Sequence, residues 1–139
     1  MLTITRATDE HTAINIVAEI EAWFIEDFKC SITSPLLIPT VEELEYYIAN
    51  YDVYLARDNN GAIFGCIVAK AERCVWMFST PERFLTLAED FGEHLKRTHN
   101  TIPWGAVERE EMRAVYLSSP KFRLADIEPY GNIVIQYVG

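Results

Sequence analysis

The chain has 139 residues, half of them apolar and 24% charged, and carries a net charge of −9 at neutral pH. A domain of this size buries roughly two thirds of the surface its unfolded chain exposes, so a single core is expected over residues 1–139, and the composition excludes disorder and low complexity. The acidity is uneven: residues 1–52 hold 10 acidic against 2 basic side chains, whereas residues 53–139 hold 11 against 10. A field of that sign repels nucleic acid phosphates and anionic lipid and favours amines or a basic protein surface.

At the amino terminus no basic stretch precedes an apolar run, and the longest apolar run, residues 62–69, is far short of the ~20 residues that span a bilayer. Cys30, Cys66 and Cys74 show no C-x-x-C spacing, which fits free thiols in a reducing compartment. A cytoplasmic protein with no membrane segment and no nucleic acid partner is the expectation.

Residues 2–6 alternate apolar and polar in a β-branched run and predict a first strand. Thr8 or Asp9 then caps a helix whose apolar stripe runs through Ile14, Val17, Ile20, Trp23 or Phe24, and Phe28. Residues 31–39, with two prolines, predict a loop, and Thr40 with Glu43 forms a capping box for a second helix. Its apolar face is Val41, Leu44, Tyr47, Ile48 and Tyr51. Residues 53–57 and 62–69 flank Asp58-Asn-Asn-Gly61, a hairpin signal because Asn-Gly accepts the positive φ of a tight turn.

A third antiparallel strand is expected over 73–78. Ser79-Thr-Pro-Glu82 starts a long helix, with a capping hydroxyl, proline in the first turn and glutamate on the helix dipole. The buried stripe of that helix is Phe84, Leu87, Ala88, Phe91 and Leu95. A strand at 101–107, a short helix at 110–118 and a hairpin of 122–127 with 133–138 complete the order β-α-α-β-β-β-α-β-α-β-β. Two packing expectations follow: a turn near Lys70 sets Cys66 and Cys74 opposite each other or one step offset, both reduced and buried, and Trp76 and Phe78 share a face that packs on the long helix through Phe84, Leu87 and Phe91.

That order over the whole chain resembles the GNAT N-acetyltransferase fold, an α/β (α+β) architecture with a mixed twisted sheet of about seven strands flanked by four helices. The resemblance implies that the strands at 73–78 and 101–107 splay apart, with acetyl-CoA in the wedge and its pyrophosphate on the start of the long helix. The residues it points to for cofactor binding are Phe78, Ser79, Thr80, Arg83 and Phe84. The family signature at that place, Q/R-x-x-G-x-G/A, uses glycines to let backbone amides approach the phosphates. Here residues 78–86 contain no glycine, and Glu82 sets a negative charge where phosphates would sit. Arg83 has a second reading, as a solvent-facing residue of the helix.

The same resemblance implies a general acid tyrosine in a pattern like A-x-x-x-Y-x-x-x-G-F. Tyr116 stands one residue out of that register relative to Phe122, about 100° around a helix, and Lys121 replaces the glycine. Glu72 and Glu108, at strand ends beside Arg73 and Arg109, are the candidate general bases, and an exposed ion pair is the competing reading of each. His11, His94 and His99 share no metal-ligand spacing with a cysteine or an acid, so no metal is expected.

Cys74-Val-Trp-Met-Phe-Ser-Thr80, the glycine-free start of the next helix and Trp104 are also similar to small GNAT-like proteins of short-tailed bacteriophages. That narrower likeness implies a phage-encoded, non-catalytic domain that needs no cofactor and binds a protein partner with a basic surface in virion assembly or host takeover. Two alternatives stay open. One is an active acetyl-CoA-dependent N-acetyltransferase acting on an amine of a small molecule or protein, and the other is a structural subunit whose wedge is filled by its own aromatic residues.

Overall fold

The Asp58 carboxylate organises the central hairpin. Its Oδ1 accepts the backbone N–H groups of Asn60 and Ala62 at 2.9 and 3.1 Å, and Gly61 takes a φ of 82°, a left-handed value that a residue without Cβ adopts at no steric cost. The hairpin joins β2 (Asp52–Arg57) to β3 (Ile63–Lys70). A computed structural model describes residues 1–9, 12–28, 39–70, 73–79, 81–99, 104–107, 110–127 and 133–139. The other strands are β1 (Thr3–Ala7), β4 (Arg73–Phe78), β5 (Trp104–Val107), β6 (Phe122–Ile127) and β7 (Ile133–Tyr137), and the helices are α1 (Ala13–Phe28), α2 (Val41–Asn50), α3 (Pro81–His99) and α4 (Glu110–Leu117).

The strands form one sheet in the order β1-β2-β3-β4-β5-β7-β6. Every neighbouring pair is antiparallel except β4 with β5, which is parallel. Helices cover both faces of its first half, so β2 and β3 are buried nearly throughout, which is why residues 62–69 read as a continuous apolar run and not as an alternation. On one face Val53, Leu55, Ile63, Cys66, Val68 and Phe78 pack with Ala13, Ile16, Val17 and Ile20 of α1 and Leu44 and Ile48 of α2. On the other face Ile4, Tyr54, Ala56, Ile67 and Ala69 pack with Leu87, Phe91 and Leu95 of α3.

The capping box of α2 is formed as expected: the Thr40 hydroxyl accepts the Glu43 N–H at 3.1 Å, and the Glu43 carboxylate accepts the Thr40 N–H at 3.4 Å. Three other expectations are corrected. In α1 Val17 and Ile20 are buried as expected, but Ile14 is 61% exposed and Ala13 and Ile16 complete the stripe in its place; the side chains of Trp23, Phe24 and Phe28 lie outside the described residues. Steps of three alone drift around a helix, whereas the 13, 16, 17, 20 set keeps to one side. Ahead of α1, Thr12 bonds back to the Asp9 carbonyl at 3.2 Å through its N–H and 2.7 Å through its hydroxyl, a first turn that opens at Asp9 as expected.

The two strand cysteines are not opposite each other, since Cys66 pairs with Phe78 and Cys74 with Ala69. Lys70 pairs with Arg73, so the ladder is centred beyond Lys70 and not on it, and a register shift between Val68 and Ala69 displaces the strands by one further residue. Phe78 consequently faces α1 and α2 with its partner Cys66, not α3; the adjacent Met77 packs on the α3 side, and the side chain of Trp76 lies outside the described residues. Residues 31–38, 101–103 and 128–132 lie outside the described residues, as do the parts of the sequence expectations that fall on them.

Candidate functional site at the diverging strands

Parallel pairing of β4 and β5 is confined to Arg73 with Trp104 and Cys74 with Gly105. Beyond these, β5 keeps its ladder only with β7, from Trp104 opposite Gln136 to Val107 opposite Ile133. The two strands therefore part along the second half of β4, and the chain leaving Phe78 passes through Ser79 into α3 at Pro81. Phe78 and Ser79 are both 3% exposed, so the corner between strand and helix is itself part of the packed interior.

The first turn of α3 is anchored inward. The Arg83 guanidinium lies 4.8 Å from the centroid of the Phe64 ring and donates from Nη1 to the Phe64 carbonyl at 3.4 Å. This corrects the solvent-facing reading of Arg83, and stacking on an aromatic face suits a planar, weakly hydrated cation. Phe64 is the extra residue of β3 where the β2 ladder shifts register, between Gly65 opposite Ala56 and Ile63 opposite Arg57. Sequence reasoning missed it because a bulge leaves no signature in an apolar run.

Phe84 is half-buried with its ring 5.2 Å from that of Tyr116, edge to face. Tyr116 in turn meets Phe122 at 5.0 Å, and Phe122 meets Tyr137 at 5.5 Å. This file of aromatics holds α4 beside the start of α3, so the fold brings Tyr116 to the β4–α3 corner despite its shifted place in the sequence. Of the other candidates, Arg83, Phe84, Phe78 and Ser79 gather at the β4–α3 corner. Glu72, Glu108 and Thr80 lie outside the described residues.

Three carboxylates along α3 clip it to the sheet. Asp90 accepts the Leu2 N–H at 2.8 Å, Glu89 accepts the Ser119 hydroxyl at 2.7 Å with Lys121 at 3.8 Å, and Glu93 accepts the Tyr137 hydroxyl at 2.9 Å with Arg97 at 3.9 Å. Burial first, then the Glu93 hydrogen bond and charge, and then Glu89 and Asp90 push the Tyr137 phenol up to about 12. These bonds position the helix that lines the wedge. On the opposite face Tyr47 lies against Phe78 with ring centroids 6.3 Å apart, and burial followed by the charge of Glu43 raises its phenol above the ordinary value. Among the described residues no group of three or more His, Cys, Asp or Glu is placed to hold a metal ion, and no helix is long and apolar enough to cross a membrane.

A seven-stranded mixed sheet that divides between β4 and β5, with α3 entered from the end of β4, is the GNAT fold. Solved structures of that fold superpose over nearly the whole chain. The apo form of YjaB from Escherichia coli aligns with a TM-score of 0.57 at 16% identity, covering 100% of this chain and 99% of that one. A spermidine N-acetyltransferase SpeG chimera from Vibrio cholerae and hSSAT aligns at 0.60 with 14% identity, covering 99% and 94%. The PaiA N-acetyltransferase of Thermoplasma acidophilum, in complex with coenzyme A, aligns at 0.54 with 17% identity, covering 100% and 99%. No family model and no curated protein sequence matches the chain.

Proposed function

We propose that this GNAT-fold chain has given up acetyl-CoA chemistry and works by binding a protein partner. The observation that carries the reading is the donor set at the α3 start. Pro81 supplies no N–H, Glu82 brings negative charge, and Arg83, the one cation of the first turn, is turned back onto Phe64. A pyrophosphate needs converging N–H groups and positive charge at a helix start; this donor set does not fit one. The acidic first third of the chain favours a partner with a basic surface. The likeness of residues 74–80 and Trp104 to small phage proteins supports a setting in virion assembly or host takeover within a bacterial cytoplasm.

A second reading, an acetyl-CoA-dependent N-acetyltransferase, is favoured by one specific observation, the Phe84–Tyr116 contact that sets a tyrosine beside the α3 start. A thermal shift separates the two. At a dissociation constant of about 10 μM, 1 mM acetyl-CoA stabilises a fold by roughly 2.7 kcal/mol, which raises the melting temperature of a domain this size by roughly 7–12 °C. The expected result is no shift. A rise of several degrees that Arg83→Ala abolishes would overturn the first reading in favour of the transferase.

A further inference from the structure

The most exposed aromatic ring in the described core-flanking helices belongs to Tyr46 of α2, 57% open to solvent. It is not a loose side chain. Its ring lies 5.8 Å from that of Tyr47 and 6.2 Å from that of Tyr51, and those two are 5.6 Å apart. Three rings that hold one another in place lose little rotamer freedom when something packs on them, which is what makes tyrosine effective at interfaces.

The same helix opens with Glu42, Glu43 and Glu45 and contains no basic residue. Glu42 stands four residues before Tyr46, one turn away on the same surface. Glu43 is engaged in the capping box, whereas neither Glu42 nor Glu45 forms an ion pair with a described residue. A cation over the Tyr46 face would thus sit within about one helical turn of a carboxylate, whose Coulomb attraction adds to the cation–π contact. Beneath the patch, Tyr47 packs on the buried Phe78 at the end of β4.

We propose that this tyrosine face of α2 is a docking surface for a lysine- or arginine-bearing segment of a protein partner. The inference rests on the partner-binding reading above and gives it a location and a chemistry. The row Glu42, Tyr46, Asn50 runs along two turns of a convex helix, about 12 Å, a length suited to more than one cationic side chain of a peptide. A small amine on so open a face would touch a single ring.

The test is an amide-resolved NMR titration of the intact chain with a short peptide of lysines and arginines, and with a control peptide in which glutamine replaces them. Shifts gathered on residues 42–51 with the basic peptide, absent with the control and suppressed at ~0.5 M salt, are expected. Tyr46→Ala should weaken binding roughly two- to fivefold, the size of one exposed cation–π contact, and the double variant Glu42→Gln, Glu45→Gln should weaken it further, with each variant still folded and unfolding cooperatively. Shifts centred elsewhere, no binding, or a Tyr46→Ala affinity equal to that of the parent would overturn the assignment. Acetyl-CoA binding in the thermal assay, with the peptide still bound at α2, would overturn the non-catalytic reading and leave this surface standing.

Discussion

Replacing Gly92 with alanine tests how tightly α3 is held against the far half of the sheet. In an unhindered helix interior that change stabilises by roughly 0.5–1 kcal/mol, because glycine has more freedom to lose. At Gly92 an added Cβ would lie 2.5 Å from Cγ of Tyr137, 2.6 Å from Cδ2 and 2.9 Å from Cδ1, about an ångström inside the ~3.5–4.0 Å optimum for two carbons. The ring has nowhere to go. Tyr137 is 3% exposed, Phe122 lies 5.5 Å away, and its hydroxyl is bonded to Glu93 at 2.9 Å.

Overpacking of this kind costs about 1–3 kcal/mol, and a ring that shifts also weakens a hydrogen bond to a charged acceptor worth ~1.5–3 kcal/mol. Against a helix gain of at most ~1 kcal/mol, the expected net loss is about 1–4 kcal/mol. For 139 residues each kcal/mol moves the melting temperature by ~3–4 °C, so thermal denaturation followed by circular dichroism should show a fall of several degrees. In a Tyr137→Ala background the sign should reverse, since the obstacle is gone and the helix gain remains. A Gly92→Ala protein more stable than the parent would refute the packing argument.

Truncating Phe91, buried beside Tyr54 with ring centroids 5.2 Å apart, to alanine should cost roughly 3–5 kcal/mol in urea denaturation; a loss below ~1 kcal/mol would remove it from the core. Burial pushes the Cys66 thiol up to about 12, so labelling by a thiol reagent at pH 8, mapped by mass spectrometry to Cys66, should wait for unfolding, and prompt labelling would contradict its burial. The Tyr137 phenol is raised from 10.0 to about 12, which means the folded chain keeps a proton that the unfolded chain releases. Stability contributed by this group is therefore present below pH 10 and lost as pH rises from 10 to 12. Tyr137→Phe should flatten that alkaline fall, and an unchanged slope would locate the titration elsewhere.

Local chemistry was legible along the chain. Gly61 at the hairpin, the Thr40–Glu43 box and the Phe84, Leu87, Ala88, Phe91, Leu95 stripe each depend on neighbours within a few residues, and all three formed as their spacing implies except that Phe84 is only half-buried. The order of strands and helices followed from the same signals, and with it the fold. Where a sequence pattern tolerated two phases, as in α1, the wrong residue was assigned to the core, because Ile14 and Ala13 compete for one stripe and only the partner sheet selects between them.

Tertiary structure alone decided the register and the site. A ladder centred beyond Lys70 separated the two strand cysteines, a shift between Val68 and Ala69 turned Phe78 toward α2, and a second shift put Phe64 under Arg83. The Phe84–Tyr116 and Gly92–Tyr137 contacts join residues that are distant in sequence and share no motif. Composition and spacing specify which residues can be buried and in what kind of element. The face on which each one lands depends on a one-residue slip that reverses a strand, and that slip is settled by the packing of elements against one another, a long-range property that no local stretch of the chain contains.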